Sequence, residues 1–562
     1  MQSSPGSLFV AYPPSEHQTV ADRIFFIGTA DPSEPVTING QVIENRSGDG
    51  HFAPSLPLAM GANTFTLVQG EESLTLTITR VAIEPPLPEG VGFAEGTLSP
   101  ANDMARMPGE LICLSAIAAP PNATVSATLG NQTIALTPQT SVDLPPNSSV
   151  LTAQTAPVTL SATEYAGCIQ PDIPGELGNP RFTVESQGET VTATAPGQIS
   201  ILSPTNFQVA EVTVPQGVAR TGPSTDYSRI TPLPAGTRAA ITGRDGEWLR
   251  LDYGGWIKAA ETEISSASVP PTSIIRGISA NQIGDWTEIV FPLQTPVPIS
   301  VRQAQQSLTL TLHNTIPQTD TIYFSNDPVV ERMDFNSVLP DSAEYTFHFK
   351  APQQWGYKLR YEGTSLILSL RHAPADNSLR EATILLDPGH GSNADLGARG
   401  PTGYPEKDVT LIVSKLLRDE LQARGATVVM TREGDDDLYP ADRVDIIEAT
   451  EPTMALSLHY NALPDAGDAL GRAGVGTFWY YPQAHSLATF LHNYLVQALG
   501  RESYGVYWNN LALTRPTVTP AVLLELGFMI NPEEFEWITD ENAQKELART
   551  LADGIEAWLD SQ

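Results

Sequence analysis

Basic charge is scarce in this sequence. Its 562 residues carry 31 lysines and arginines against 64 aspartates and glutamates, a formal net charge of −33 at pH 7, and no lysine precedes Lys258. Binding along a nucleic-acid backbone needs clustered Lys and Arg to neutralise phosphates, so a general nucleic-acid binder is excluded. Adhesion to an anionic membrane surface is disfavoured for the same reason. Long apolar runs are missing too. None approaches the roughly 18 residues of a membrane-spanning helix, so no transmembrane segment is expected. Met1-Gln2-Ser3-Ser4-Pro5 has neither the basic region nor the apolar stretch of a secretion signal. The protein is therefore expected to be either cytosolic or separated from its export signal. Cysteine is rare: Cys113 and Cys168 stand 55 residues apart in one β-rich stretch. An even pair within one candidate domain suits a disulfide of an exported protein, and two buried free thiols fit the sequence about as well.

What is present is globular. With 41% hydrophobic and 17% charged residues, the chain can bury several cores. Its length predicts about three to five domains. Composition shifts near residue 380, since 37 of the 47 prolines lie in residues 1–382. The first two thirds are rich in Pro, Thr and Ser with short apolar alternations, which predicts all-β modules. The last third alternates strand-like and helix-like segments and predicts an α/β domain. The expected architecture is therefore multidomain. A C-terminal α/β domain with a mainly parallel sheet flanked by helices follows several β-sandwiches and a small barrel.

Individual segments sharpen this. Leu74 to Thr79 alternates with period two, as a half-buried strand does. Asn39-Gly40 sits between two strand-like runs and predicts a hairpin. Residues 1–83 are thus similar to immunoglobulin-like β-sandwiches of envelope proteins. Glu84-Pro85-Pro86-Leu87-Pro88 reads as a stiff linker into a β-rich module over 84–205. In residues 206–265, Arg220-Thr221-Gly222-Pro223-Ser224 precedes Tyr227, then Gly236-Thr237, Trp248 and Gly255-Trp256. This run resembles a bacterial Src-homology-3-like domain, which implies binding of cell-wall peptides or proteins; a spacer with aromatics in its core is the alternative. Residues 266–380 carry the strict alternations Leu308 to Leu312 and Leu366 to Leu370. By position they resemble β-sandwiches that precede cell-wall amidase domains.

The chemistry concentrates in residues 381–562. Ile384-Leu385-Leu386 runs into Asp387-Pro388-Gly389-His390-Gly391, a buried strand delivering a histidine to a Gly-flanked loop. Glu406-Lys407-Asp408 opens a segment with apolar Val409, Ile412, Val413, Leu416, Leu417 and Leu421, the spacing of an amphipathic helix. Arg424-Gly425 stops it. Met454 to Ala462 is a strand carrying His459, and Ala521 to Leu524 is a strand running into Glu525. Strand ends of an open parallel sheet share one edge, where ligands bind, so these four groups converge on topology alone. Two imidazoles and a carboxylate make an open three-ligand zinc site, and a further carboxylate can serve as general base.

Four blocks stand in order: Asp387 to Gly391, Glu406 to Asp408, Ser457 to Ala462, and Glu525 to Phe528. Together they resemble zinc-dependent N-acetylmuramoyl-L-alanine amidases over residues 383–560. The resemblance implies Zn2+ held by His390, Glu406 and His459, with Glu525 as catalytic base. The implied reaction cleaves the amide between N-acetylmuramic acid and L-alanine in peptidoglycan. Ser392 stands where the family usually has a second glycine. Arg515 and Asn461 are expected to touch substrate. Ala462 and Glu525 are 63 residues apart, which leaves little room for the zinc-blocking helix of restrained family members, so none is expected. A silent wall-binding scaffold and a zinc peptidase acting on stem peptides are the alternatives. The resemblance implies a place in the periplasm or cell envelope, with the β-modules as candidate contacts for envelope or division proteins. His485 and His492 read as a helix face, and Asp435-Asp436-Asp437 as a solvated loop.

Overall fold

A computed structural model describes residues 6–152, 154–323 and 326–562; the five residues on which the secretion-signal reading rests lie outside the described residues. Strands dominate as far as Arg371. Among the first of them, a three-stranded and a five-stranded sheet enclose a core containing Ile24, Phe26, Phe52, Phe65, Leu67 and Ile78. Glu72–Arg80 pairs antiparallel with Gly61–Gln69 and buries Leu76 and Ile78, while Thr77 and Thr79 stay partly exposed and Leu74, nearer the turn, is exposed. Thr37–Ile38 and Gln41–Val42 form the expected hairpin, with φ of +50° at Asn39 and +79° at Gly40. That left-handed pair matches the twist of a two-residue hairpin loop, and Asn-Gly adopts it at low cost.

Strands from Gly92 to Thr194 contribute a seven-stranded sheet, in which Cys113 and Cys168 face each other across neighbouring strands and are joined by a disulfide. Met104–Arg106 lies outside that sheet and pairs with Arg238–Asp245 and Ile199–Ile201. Backbone hydrogen bonds thereby fuse two stretches that the sequence presents as successive. Trp248 and Trp256 are buried, with the Arg220 guanidinium over Trp248 and that of Arg106 over Trp256. Two four-stranded sheets occupy Ser279 to Arg371. Their core is continuous with the preceding one: Leu233, Ile241 and Ile257 cluster with Ile289, Leu310, Phe347 and Leu368.

Beyond Arg371 strands and helices alternate. The strands are β1 (Thr383–Pro388), β2 (Thr427–Met430), β3 (Met454–Asn461), β4 (Val475–Trp479), β5 (Ser503–Trp508) and β6 (Ala521–Phe528). They form one sheet in the order β2-β1-β3-β6-β4-β5, parallel throughout except between β4 and β6. The helices are α1 (Glu406–Ala423), α2 (Pro440–Thr450), α3 (Pro482–Leu499), α4 (Pro532–Thr539) and α5 (Glu541–Asp560). Alternate residues of the strands feed opposite faces. Ile384, Leu386, Leu456 and Leu524 meet Val413, Leu417, Leu487 and Leu551 of α1, α3 and α5. Leu385, Ala455 and Leu523 meet Ile447 of α2. Burial on both faces explains why the strands read as unbroken apolar runs.

Other parts of the chain grip this domain. Trp355 packs on Trp558 with ring centroids 5.7 Å apart. Arg371 donates to the carbonyls of Glu451, Pro452 and Val518. On another side, Tyr12 and His17 both bond to the Asp465 carboxylate.

Candidate active site

β1, β3 and the start of α1 bring His390, His459 and Glu406 together: one potential ligand atom from each lies within 4.8 Å of the others. Nε2 of His390 is 3.2 Å from Glu406 Oε2, and Nδ1 of His459 is 3.2 Å from Glu406 Oε1. Each carboxylate oxygen also accepts a backbone N–H, from Ala398 at 2.8 Å and from Tyr460 at 2.9 Å, which fixes its orientation. Glu525 is the register partner of His459 on the adjacent parallel strand. Its Oε2 is buried without a hydrogen-bond partner.

The loop carrying His390 is held under constraint. His390 has φ +60°, a conformation that non-glycine residues seldom adopt. Two buried arginines hold the backbone around it. Arg443 donates to the carbonyls of Pro388 and His390, and Arg432 to those of Pro388, Gly389 and Lys407. Arg443 is also 2.6 Å from the buried Asp387, which accepts from the hydroxyls of Thr431 and Ser457. An unfavourable φ persists where its surroundings over-determine it, as these do. On the solvent side, Asp395 Oδ1 is 2.6 Å from His390 Nδ1. Ser392 Oγ accepts the amides of Ala394 and Asp395 at 3.0 and 3.1 Å, so this serine stiffens the turn that positions Asp395.

Two glycines leave room for the ligands. A Cβ on Gly389 would sit 2.3 Å from His459 Cε1, and one on Gly397 2.5 Å from Glu406 Oε2. The charges are mutually tuned. Burial alone would raise the Glu406 carboxyl, yet the two imidazoles outweigh it and hold it below the usual range. Burial would lower His390, but Glu406 and Asp395 overcome it and keep the ring well above its ordinary value. At Glu525 burial wins: with Glu406 adding to it, it pushes the carboxyl up to about 7 against the weaker pull of His459 and His390. Two imidazole nitrogens and one carboxylate around a shared point, with His390 and Glu406 each oriented by a further bond, fit a borderline divalent cation such as zinc.

The remaining expected residues lie differently. Asn461 ends β3, where its Oδ1 accepts the Ala462 amide at 2.8 Å. Arg515 is not part of the cluster. Its guanidinium donates to the Arg229 and Ile230 carbonyls and to Asn510 Oδ1, and stacks over Tyr480. His492 is buried on α3 against Ser503, and His485 packs on Trp479. Between Ala462 and Glu525 the described helices are α3, which buries Leu487 and Leu491 in the core, and the single turn Ala512–Thr514. Asp395, Arg432 and Arg443 were not singled out from the sequence. Only the turn-forming Ser392-Asn393-Ala394-Asp395 composition pointed toward one of them.

Residues 384–557 match the family model described as N-acetylmuramoyl-L-alanine amidase. The matched segment begins within β1, ends within α5 and contains His390, Glu406, His459 and Glu525. A protein named probable cell wall amidase LytH, from Staphylococcus aureus, is 33% identical over 198 residues, covering 35% of this chain and 65% of that protein. The chain thus spans about 65% of the length of the curated relatives it matches. Among solved structures, the N-acetylmuramoyl-L-alanine amidase AmiC2 of Nostoc punctiforme is 28% identical, covering 32% of this chain and 97% of that chain, with a TM-score of 0.30. An N-acetylmuramoyl-L-alanine amidase from Clostridium difficile 630 is 29% identical, covering 33% of this chain and 100% of that chain, with a TM-score of 0.31.

Proposed function

We propose that the protein is a cell-wall hydrolase that cleaves the amide between N-acetylmuramic acid and L-alanine in peptidoglycan. The observation that carries this reading is the convergence of His390, Glu406 and His459 beside the unpartnered oxygen of Glu525. His390, Glu406 and His459 would hold zinc. When bound there, zinc polarises the scissile carbonyl and lowers the pKa of a water ligand to about 7. Glu525, whose buried carboxylate has a raised proton affinity, accepts the proton of the attacking water and returns it to the leaving amine. Asp395 holds the His390 ring in the orientation that turns Nε2 toward Glu406. Asn461, two residues beyond His459, is proposed as a substrate contact. Arg515 spends its donors on the Arg229–Ile230 backbone, and we assign it a docking role.

The disulfide supports a site of action in an oxidising envelope compartment. No helix among the described residues is long and apolar enough to cross a membrane. We further propose five units: an immunoglobulin-like sandwich (1–83), a β-rich module (84–205), a Src-homology-3-like barrel (206–265), a β-sandwich (266–380) and the catalytic domain (381–562). Their strands are the proposed contacts for wall or division proteins.

Digestion of purified peptidoglycan, with and without chelator, tests the reaction. Muramoyl glycans released beside unshortened stem peptides are expected, and chelator should stop their release. Shortened stem peptides would overturn the assignment in favour of a peptidase. Glu525→Gln is expected to lower turnover by about 10²–10⁴-fold while leaving the zinc content unchanged. Turnover equal to the parent's would remove Glu525 from its role.

A further inference from the structure

A second group of metal-ligand side chains lies away from the active site, where the N-terminal strands meet α4. Potential ligand atoms of Asp49, His51 and Glu536 all lie within 4.8 Å of one another. Asp49 and His51 come from one turn of the N-terminal sheets, and Glu536 from the middle of α4, 485 residues further along. We propose that these three residues form a second divalent-cation site, suited to zinc, that ties the N-terminal strands to the catalytic domain.

The turn is built rather than loose. Ser47 N donates to the His51 carbonyl at 2.9 Å, and its Oγ accepts the His51 amide at 3.1 Å. Arg46 braces it by donating to the carbonyls of Asp31 and Glu34, each at 2.7 Å. His51 is only 6% exposed, and its Nδ1 is fixed 2.9 Å from the hydroxyl of Thr29, itself buried. A ring so anchored through one nitrogen presents the other in a fixed direction, as metal-binding histidines do. Phe535 packs edge-on against the ring, with centroids 5.3 Å apart. Glu536 is held by the Asp49 amide, which donates to Oε1 at 2.7 Å.

The charge is also unbalanced. Among the described residues, neither Asp49 nor Glu536 has an ion-pair partner, and the neighbouring Arg46 guanidinium is committed to backbone carbonyls, so two carboxylates converge on an imidazole with one unpaired cation near them. One nitrogen and two carboxylate oxygens suit a borderline ion such as Zn2+, with water completing the shell. Calcium would demand six to eight oxygens, more than this corner offers.

The test uses the full chain, stripped with chelator, incubated with Zn2+ alone, desalted and assayed for metal per polypeptide. Two ions are expected in the parent protein, one in Glu536→Gln, one in His390→Ala and none in the double variant. His51→Ala should match Glu536→Gln. The glutamine variant keeps an oxygen to accept from the Asp49 amide, so its fold is expected to survive, and far-ultraviolet circular dichroism checks this. In the His390→Ala background, added zinc should raise the melting temperature, and Glu536→Gln should abolish that rise. Two ions retained by both Glu536→Gln and His51→Ala would overturn the proposal. So would a single ion in the parent that vanishes with His390→Ala. A single ion lost with Glu536→Gln but kept in His390→Ala would support this site and overturn the active-site metal assignment instead.

Discussion

The residue that does most for the active site without facing it is Arg443. Its guanidinium neutralises Asp387, which is 1% exposed, and grips the carbonyl of His390. Removing one partner of a buried ion pair strands the other, at a cost of about 3–5 kcal/mol. Arg443→Met is therefore expected to destabilise the C-terminal domain by about that much, read from the denaturant midpoint of its unfolding transition. Pairing it with Asp387→Asn should recover part of the loss; a single-variant loss under about 1 kcal/mol would show that the pair matters little. At this scale the sequence was informative where chemistry imposes order along the chain. His390, His459 and Glu525 each follow an apolar run, and Glu406 starts a periodic one. Arg432 and Arg443 were not legible, because an arginine in a polar loop or on a helix looks the same whether solvated or folded inward. Their burial depends on Asp387 and on carbonyls that the His390 loop turns toward them.

At the scale of elements, the segment between β1 and α1 behaves as a single device. It starts with a strained histidine, passes through a serine-capped turn that presents Asp395, and returns through Gly397 against Glu406. Carboxylates that bond the far nitrogen of a metal-binding histidine typically account for about 10–100-fold in metal affinity. Asp395→Ala is expected to weaken zinc binding by about that factor in a competition titration with a chromogenic chelator, while the unfolding midpoint of the metal-free protein stays close to the parent's. Equal affinities would mean that the 2.6 Å contact does not orient the ring. Elements themselves were largely readable. The Asn39-Gly40 hairpin and α1, with Glu406 in its first turn, follow directly from turn chemistry and period. The pairing of Met104–Arg106 with Arg238–Asp245 was not, since strands this far apart in sequence carry no mark of their partner.

For the whole molecule, the interface between α2 and the preceding β-modules holds a titrating group. Glu448 lines a cavity of about 250 Å³ with Arg229, Ile230 and Arg515, and burial pushes its carboxyl up to about 7 from an ordinary 4.5. The folded protein then keeps a proton that the unfolded chain has released. The contribution of Glu448 to stability therefore falls as pH rises from 4.5 through about 7 and levels off above it. Glu448→Gln keeps an oxygen to accept the Thr517 amide and lacks that slope. Its melting temperature is expected to match the parent's near pH 4.5 and exceed it above pH 7. Parallel curves over the whole range would show that Glu448 titrates normally.

The tryptophan contact has a bearing on where this protein can be cut. Trp558 lies one residue beyond the matched amidase segment, is 1% exposed, and rests on Trp355, which precedes that segment by almost thirty residues. The stretch that recurs in other proteins and the stretch that can seal its own interior are therefore of different lengths. A boundary drawn at residue 384 would open an aromatic seam to water.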